Sequence, residues 1–209
     1  MEFKSKFIQS LNNEYFFIRD SNNKEIAYLS IVTDKDLDDL EFIQKITDWR
    51  KRFANCFFTV FEPKPERTRA WMERSLLPNP DRVLCKIFTT DMNLVGHVGI
   101  INHDSFVEYD YFIKGEKVDI KDFSLIVGIR FLKWVCEVSG INVIRAFVRS
   151  DNQKIIDFVQ RTGFRLGERH PLKRNYLDPD EYTLEVDEDI INPEVYMIEI
   201  EMNADELHV

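Results

Sequence analysis

The feature that most constrains this chain is a long apolar segment just past its middle. Residues 123–138 are apolar except for Ser124, Arg130, Lys133 and Glu137, and Gly140 follows them. The segment is about three times as long as an ordinary β-strand. It therefore predicts a largely buried α-helix, which ends at a glycine because glycine readily adopts the left-handed conformation that closes a helix.

Short polar turns separate three β-like runs that precede this helix. The runs are residues 82–89, 94–101 and 106–114. Turns of only a few residues join antiparallel neighbours, so the pattern predicts an antiparallel meander.

After the long helix the chain alternates between strand and helix. Residues 142–149 and 164–168 have strand character, and residues 152–162 between them form an amphipathic helical pattern. A helix between two strands predicts a parallel crossover.

The two ends of the chain add shorter elements. Two β-like runs before residue 33 predict a hairpin, two helical patterns follow it, and a last strand comes near the C-terminus. These segments are residues 15–19, 26–32, 34–53, 65–77 and 196–202. We expect one domain over residues 1–209, with residues 1–25 as an N-terminal extension that begins the hairpin and residues 171–193 as a polar loop.

Composition excludes several classes of function. The net charge of −9 argues against nucleic acid as the main partner, because a polyanion requires a basic surface. No apolar run approaches the roughly 20 residues of a membrane helix, and none at the N-terminus has signal-peptide character. We therefore expect a soluble, cytoplasmic protein. The three cysteines and four histidines show no metal-ligand spacing, so no metal site is predicted.

A local motif accompanies this order of elements. The run Phe147–Asn152 ends the strand that precedes the amphipathic helix of residues 152–162, and Gly163-Phe164 begins eleven residues after Asn152. Together they resemble the GNAT superfamily of acyl-CoA-dependent N-acyltransferases. The resemblance implies an α/β (α+β) fold whose mixed, mostly antiparallel central sheet is flanked by helices and has a V-shaped splay between strands four and five.

The same resemblance implies acetyl-CoA as cosubstrate, bound in that splay. Free strand edges at Phe112 and Ile113 would pair with the pantetheine arm, and the loop at the start of the long helix would hold the pyrophosphate. The implied contacts are Phe112, Ile113, Lys114, Lys121, Asp122, Phe123, Ser124 and Asn152.

Two positions depart from the family pattern. The pyrophosphate loop lacks the usual glycines, and we expect Asp122 within it to cap the helix. Val159 stands where many members carry the tyrosine that reprotonates the departing thiolate. Another group or water then donates that proton, the thiolate leaves unprotonated, or the domain has lost catalysis.

Two acidic residues are the candidates for catalysis. Glu108 and Asp110 lie two apart on a predicted strand and so project from one face. We predict a general base and an amine-binding group, with Glu108 favoured as the base by the resemblance; the alternative is a solvent-exposed acidic face. Trp49, Arg50 and His103 are candidates for binding the acceptor, and the alternative places Trp49 in the core and the other two in solvent.

The acceptor is predicted from a narrower resemblance. Glu108-Tyr-Asp110 and Asp48-Trp49-Arg50 are similar to motifs of acetyltransferases in nucleotide-sugar and surface-polysaccharide pathways. This implies a small-molecule amine, specifically an amino sugar on a nucleotide carrier. The alternative acceptor is a protein or peptide amine. The alternative to an enzyme is a non-catalytic CoA-binding module, and the alternative donor is an acyl carrier protein. An acidic cleft would favour peptides and an arginine-lined cleft a nucleotide diphosphate. A homodimer is compatible with the sequence.

Overall fold

The computed structural model describes residues 2–207, so the predicted domain 1–209 exceeds it by Met1, His208 and Val209. In chain order the elements are α1 (Phe3–Ser10), β1 (Phe16–Arg19), β2 (Glu25–Ile31), α2 (Leu40–Arg52), β3 (Thr59–Val60), α3 (Pro65–Trp71), β4 (Arg82–Thr89), β5 (Leu94–Asn102), β6 (Val107–Lys114), α4 (Phe123–Ser139), β7 (Val143–Arg149), α5 (Gln153–Arg161), β8 (Arg165–Asp178), β9 (Glu181–Val186) and β10 (Val195–Asn203). A π-helical turn, Met72–Leu76, prolongs α3.

All ten strands belong to one sheet with the order β1-β2-β4-β5-β6-β7-β10-β8-β9-β3. Every neighbouring pair is antiparallel except β6 and β7. The predicted meander of β4, β5 and β6 is confirmed. Strand β10 lies between β7 and β8 and is antiparallel to both, so the two strands that flank α5 run in the same direction, as predicted, without touching.

The sheet splays between β6 and β7, as the resemblance implied. These strands pair only where Val107 meets Ile144 and Glu108 meets Arg145. Beyond that point β6 contains a bulge: Gly99 of β5 faces Asp110, whereas two residues earlier His97 faces Ile113. Tyr111 in the bulge has a φ of 59°, a left-handed conformation. Because a bulge bends its strand, β6 diverges from β7 and leaves a cleft.

Helices cover both faces of the sheet. Val83 and Cys85 of β4 pack in the cluster that contains α4, and Leu84 between them packs with α2 and α3. This alternation follows from the strand period of two. Helix α4 is buried along most of its length, as its apolar sequence predicts.

Two segments differ from the expectations. Residues 1–25 contain helix α1 as well as the start of the hairpin, because Phe3 and Phe7 are buried and Phe7 meets Trp134 of α4 edge-on at 5.1 Å. The polar segment 171–193 is not a loop: most of it continues β8 and forms β9. Alternating exposed polar residues hide the strand pattern there, and a small cluster of Leu172, Leu184 and Val195 supports the strands.

Within residues 2–207, no helix is both long and apolar enough to cross a membrane. The described residues also include no group of three or more potential metal ligands.

Candidate active site

Two cavities meet at the splay of the sheet. The first, of about 320 Å³, lies between the diverging ends of β6 and β7 and reaches α4 and α5. The second, of about 370 Å³, lies on the face covered by α2 and α3. Five residues line both cavities: Phe57, Phe58, Asp110, Tyr111 and Ile113. The two cavities therefore adjoin each other at these residues.

The first cavity contains most of the predicted cofactor-binding residues. Phe112, Ile113, Lys114, Ser124 and Asn152 line it. Phe112 and Ile113 lie on the part of β6 beyond its pairing with β7. Asn152 caps α5, and its side chain accepts a hydrogen bond from the Ile155 backbone N–H.

The start of α4 offers backbone donors to this cavity. The first N–H groups of a helix have no partner within the helix, and they attract anions. Ser124 in the first turn lines the cavity, whereas Lys121 is exposed and Phe123 is buried in the core. Lys121 and Phe123 are therefore absent from the residues that line it.

Asp122 corrects one prediction. It occupies the N-cap position, but its side chain makes no capping hydrogen bond. Its carboxylate accepts a hydrogen bond from Arg161 Nη2 at 2.5 Å instead. Its φ of 55° is a conformation that glycine adopts easily, so Asp122 supplies the turn without the family's glycines. Arg161 also offsets a negative charge that would repel a phosphate.

Asp110 occupies the wall that the two cavities share. Removal from water raises the pKa of its carboxyl to about 6, and repulsion by Glu108 adds to that increase, while the Tyr111 backbone and the charge of Arg82 oppose it. A carboxyl with this pKa is mostly ionised at neutral pH and can accept a proton.

Glu108 lies outside the linings of both cavities. It projects from the same face as Asp110, as predicted. The register shows this on strands β4, β5 and β6, where one row is Arg82, Ile101 and Glu108. The row two residues along β4 is Leu84, Gly99 and Asp110. However, Glu108 stands where β6 and β7 still pair, before the splay opens. His103 holds its carboxylate at 2.8 Å from the surface side. The predicted roles of Glu108 as the favoured base and of His103 at the acceptor gain no support from this placement.

Trp49 corrects another prediction, since it does not line either cavity. It is fully buried, and its Nε1–H donates to Glu116 Oε1 at 2.7 Å. Arg50, the next residue on α2, does line the second cavity. The neighbours therefore divide between the core and the cleft, because adjacent helical residues point in directions about 100° apart.

Several residues of the second cavity were missed by the sequence analysis. His97 and Tyr111 reach it because the bulge in β6 shapes the strands around them, and no sequence signal marks a bulge. The aromatic run 57–61, which contains Phe57, Phe58 and Phe61, was a visible signal: three large apolar residues lie between helices where no core strand was predicted.

That aromatic segment crosses the open side of the splay and is fastened at both ends. Arg149 at the end of β7 donates to the Phe57 carbonyl at 2.9 Å and to both carboxylate oxygens of Asp151. Strand β3 pairs with β9, and Arg67 binds the carboxylate of Glu181. The N-terminal and C-terminal parts of the chain thus build the wall together.

The arrangement suits transfer between two bound molecules. A free strand edge and a helix N-terminus can hold an extended anionic donor in the first cavity, and a base with a pKa of about 6 faces the second. Val159 lines the first cavity as a buried aliphatic side chain and cannot donate a proton.

Comparison with known proteins gives the same picture. The model of the acetyltransferase (GNAT) domain family matches residues 28–165. None of the curated protein sequences matches the chain. Among solved structures, the chain is similar to spermidine N-acetyltransferase from Vibrio cholerae in complex with CoA and spermine, with 16% identity, a TM-score of 0.62, and coverage of 86% of this chain and 96% of the other.

Two further structures from Vibrio cholerae are similar at the same level. A dodecameric spermidine N-acetyltransferase in an intermediate state has 14% identity and a TM-score of 0.58, covering 86% of this chain and 94% of the other. Mutant forms of a spermidine/spermine N-acetyltransferase have 14% identity and a TM-score of 0.59, with the same coverage. At these identities the likeness concerns the fold.

Proposed function

The chain belongs to the GNAT acetyltransferase family and is an acyl-CoA-dependent N-acetyltransferase, and from this premise we propose that it acetylates the primary amine of a small molecule with Asp110 as general base. One observation carries the proposal. Asp110 is the carboxylate in the wall shared by the two cavities, at the point where β6 leaves β7.

The first cavity fits acetyl-CoA. The strand edges at Phe112 and Ile113 would hold the pantetheine arm, and the N–H groups at the start of α4 would hold the pyrophosphate. Lys114 and Lys154, which both line this cavity, add positive charge. Acetyl-CoA supplies a thioester, whose C–S bond breaks as the new C–N bond of the amide forms.

Asp110 prepares the acceptor for this reaction. A primary amine is protonated at neutral pH and must lose a proton before it becomes a nucleophile. With a pKa of about 6, Asp110 is ionised at pH 7, attracts the ammonium group and accepts its proton. The departing thiolate takes a proton from solvent, since Val159 supplies none and a thiol with a pKa of about 8.5 is a tolerable leaving group.

The volume of the second cavity, about 370 Å³, favours a small molecule over a peptide as acceptor. An amino sugar on a nucleotide carrier and a polyamine remain the two acceptors to compare, because the former is implied by the sequence motifs and the latter is the substrate named for the similar structures. Arg50 and Arg67 in the cavity lining favour the former.

The test is a kinetic comparison of two variants. Purified wild-type protein with acetyl-CoA is assayed for thiol release on nucleotide-linked amino sugars, amino sugar phosphates and polyamines. We expect Asp110→Asn to lower kcat/KM by about 100-fold or more, the range of a lost general base. Its dissociation constant for acetyl-CoA should stay within about twofold of the wild type.

Glu108→Gln is the matched comparison, because it removes the other carboxylate of the same strand face. We expect it to lower kcat/KM less than tenfold. A larger loss in Glu108→Gln than in Asp110→Asn would reassign the base to Glu108. Tight binding of acetyl-CoA without turnover of any amine would instead identify a non-catalytic module.

A further inference from the structure

We propose that the second cavity contains an anion subsite centred on Arg50, and that the acceptor is therefore a primary amine that also carries a phosphate or carboxylate group. The inference rests on the proposed function, in which the amine of the acceptor lies beside Asp110. It adds the second half of the recognition and names the chemical class of the acceptor.

Arg50 is held rigidly in the wall of the cavity. Its guanidinium lies over the ring of Phe57 at 3.4 Å from the centroid, with Phe61 at 5.1 Å. One N–H, on Nη2, donates to the Thr59 carbonyl at 2.7 Å. A guanidinium carries five N–H donors in a planar fork that matches the oxygens of phosphate and carboxylate groups. The aromatic support fixes the plane of that fork before any ligand arrives.

The positive charge of Arg50 has no carboxylate counterpart nearby. No salt bridge to Arg50 occurs within 4.0 Å among residues 2–207. Arg67, the other arginine of the cavity, differs because Glu181 binds its guanidinium with two hydrogen bonds. Asp110 contributes only a longer-range attraction to Arg50, and burial lowers the pKa of Arg50 to about 10.

The rest of the lining is consistent with an anion beside Arg50. His97 is 5% exposed, and burial together with the charge of Arg50 lowers its pKa to about 4, so it is neutral at pH 7. The remaining surface is largely aromatic and includes Phe58 and Trp71. An amine at Asp110 and an anion at Arg50 would match the two charges of the cavity. A polyamine would place a second ammonium group against Arg50.

A comparison of matched acceptors tests this inference. Glucosamine 1-phosphate and methyl glucosaminide share the sugar amine and differ in the phosphate, and 4-aminobutyrate supplies a carboxylate instead. We expect kcat/KM of the wild type to be at least tenfold higher for a phosphate- or carboxylate-bearing amine than for methyl glucosaminide and spermidine. Whichever of glucosamine 1-phosphate and 4-aminobutyrate has the higher kcat/KM shows whether the subsite prefers a phosphate or a carboxylate. Equal kcat/KM for amines with and without a phosphate or carboxylate group would overturn the subsite and leave the proposed function intact.

Variants of Arg50 then assign the preference to this residue. Arg50→Gln should raise KM for the anionic acceptor by about 10- to 100-fold, the loss of a charge-assisted hydrogen bond. The increase in KM for methyl glucosaminide should be at least fivefold smaller. For Arg50→Lys, KM for the anionic acceptor should lie between the values of the wild type and Arg50→Gln, since lysine keeps the positive charge and lacks the planar fork of donors. Arg69→Gln is the control, because Arg69 lies on the neighbouring helix α3 outside both cavities. Equal losses on both acceptors would show that Arg50 only supports the wall.

A binding measurement separates failure of this inference from failure of the proposed function. With desulfo-CoA present at saturation to occupy the first cavity, glucosamine 1-phosphate and 4-aminobutyrate are each titrated calorimetrically into wild type and Arg50→Gln. Binding that is at least tenfold weaker in the variant supports the subsite even if no amine is acetylated. Absence of binding, or equal binding by both proteins, overturns it whatever the catalytic assay shows.

Discussion

At the scale of single residues, the position that we propose for Asp110 in catalysis has a cost to stability. Its carboxyl has a pKa of about 6 in the folded protein against an ordinary value of 3.8, because burial disfavours the ionised form. The folded state thus binds this proton more tightly than the unfolded state. Its contribution to stability therefore increases as the pH falls from about 6 to about 4, and at pH 7 the carboxylate destabilises the fold.

We predict that Asp110→Asn, although impaired in catalysis, is more stable than the wild type at pH 7. The raised pKa corresponds to an upper limit of about 3 kcal/mol in the free energy of unfolding. The gain should shrink as the pH approaches 4, where the wild-type carboxyl is protonated. Urea unfolding at pH 7.5 and pH 4 measures both values, and an equal difference at the two pH values would contradict the buried carboxylate.

The proposed role of Asp110 as the base also predicts the pH dependence of catalysis. We predict that kcat/KM of the wild type for acetyl transfer rises with pH along a limb centred near 6, because Asp110 must be ionised to accept a proton. The residual activity of Asp110→Asn should lack this limb. A limb that persists unchanged in the variant would belong to another group.

Tyr111 modulates that limb. Both the backbone and the side chain of Tyr111 lower the pKa of the Asp110 carboxyl, and Arg82 Nη1 donates to the Tyr111 hydroxyl at 3.1 Å. We predict that Tyr111→Phe moves the acid limb to higher pH. The loss in kcat should stay under tenfold, because burial and the nearby Asp110 raise the pKa of Tyr111 to about 12 and make it a weak proton donor. A loss of about 100-fold would identify Tyr111 as the acid that replaces the missing tyrosine at Val159.

The sequence alone could predict the types of residues at the site, but it could not predict which of them enter the cleft. A period of two places Glu108 and Asp110 on one face, and the structure agrees. Which carboxylate enters the cleft depends on where β6 departs from β7, and the bulge at Tyr111 decides that. The sequence also could not decide whether Trp49 and Arg50 lie in the core or in the cleft. Trp49 packs against Gly115 and Glu116, which are distant from it in the sequence.

At the scale of elements, one buried arginine fastens the first residues of the wall segment. Arg149 is 5% exposed and joins β7 to the segment that contains Phe57, which lines both cavities. We predict that Arg149→Met destabilises the protein by about 2 kcal/mol, because it leaves the Phe57 carbonyl without its donor. KM for the acceptor should rise as well, since the wall becomes mobile.

Thermal unfolding and hydrogen exchange at residues 57–60 measure these two effects. Arg165→Met is a suitable control, because Arg165 is an exposed residue of β8 that pairs with Glu206 and lies outside the part of β8 that pairs with β9. Unchanged exchange at residues 57–60 in Arg149→Met would contradict the fastening role.

Elements with strong periodicity were predictable and those with mixed polarity were not. Helix α4 and the meander follow from apolar content and turn spacing, and α5 follows from its cap at Asn152. Helix α1 and the hairpin of β8 and β9 bury few residues each, so tertiary contacts such as Phe7 with Trp134 decide their structure.

At the scale of the whole molecule, one sheet connects residues from both ends of the chain, and we propose that it unfolds as a single domain. The three tryptophans report on different parts: Trp49 and Trp71 lie on α2 and α3, and Trp134 lies on α4. We predict that fluorescence and far-ultraviolet circular dichroism give coincident urea transitions. Two separated transitions would divide the sheet into independent units.

The shared wall also affects how such an enzyme can diverge. The residues that would hold the donor all lie within the family span 28–165, whereas β9, which supports the wall of the second cavity through β3 and Glu181, lies beyond it. On the proposed function, substitutions in that late hairpin would reshape the acceptor cavity and leave the residues proposed to hold the donor unchanged. A lineage could then adjust its choice of amine from outside the family domain, whereas the anion-binding group proposed at Arg50 lies inside it.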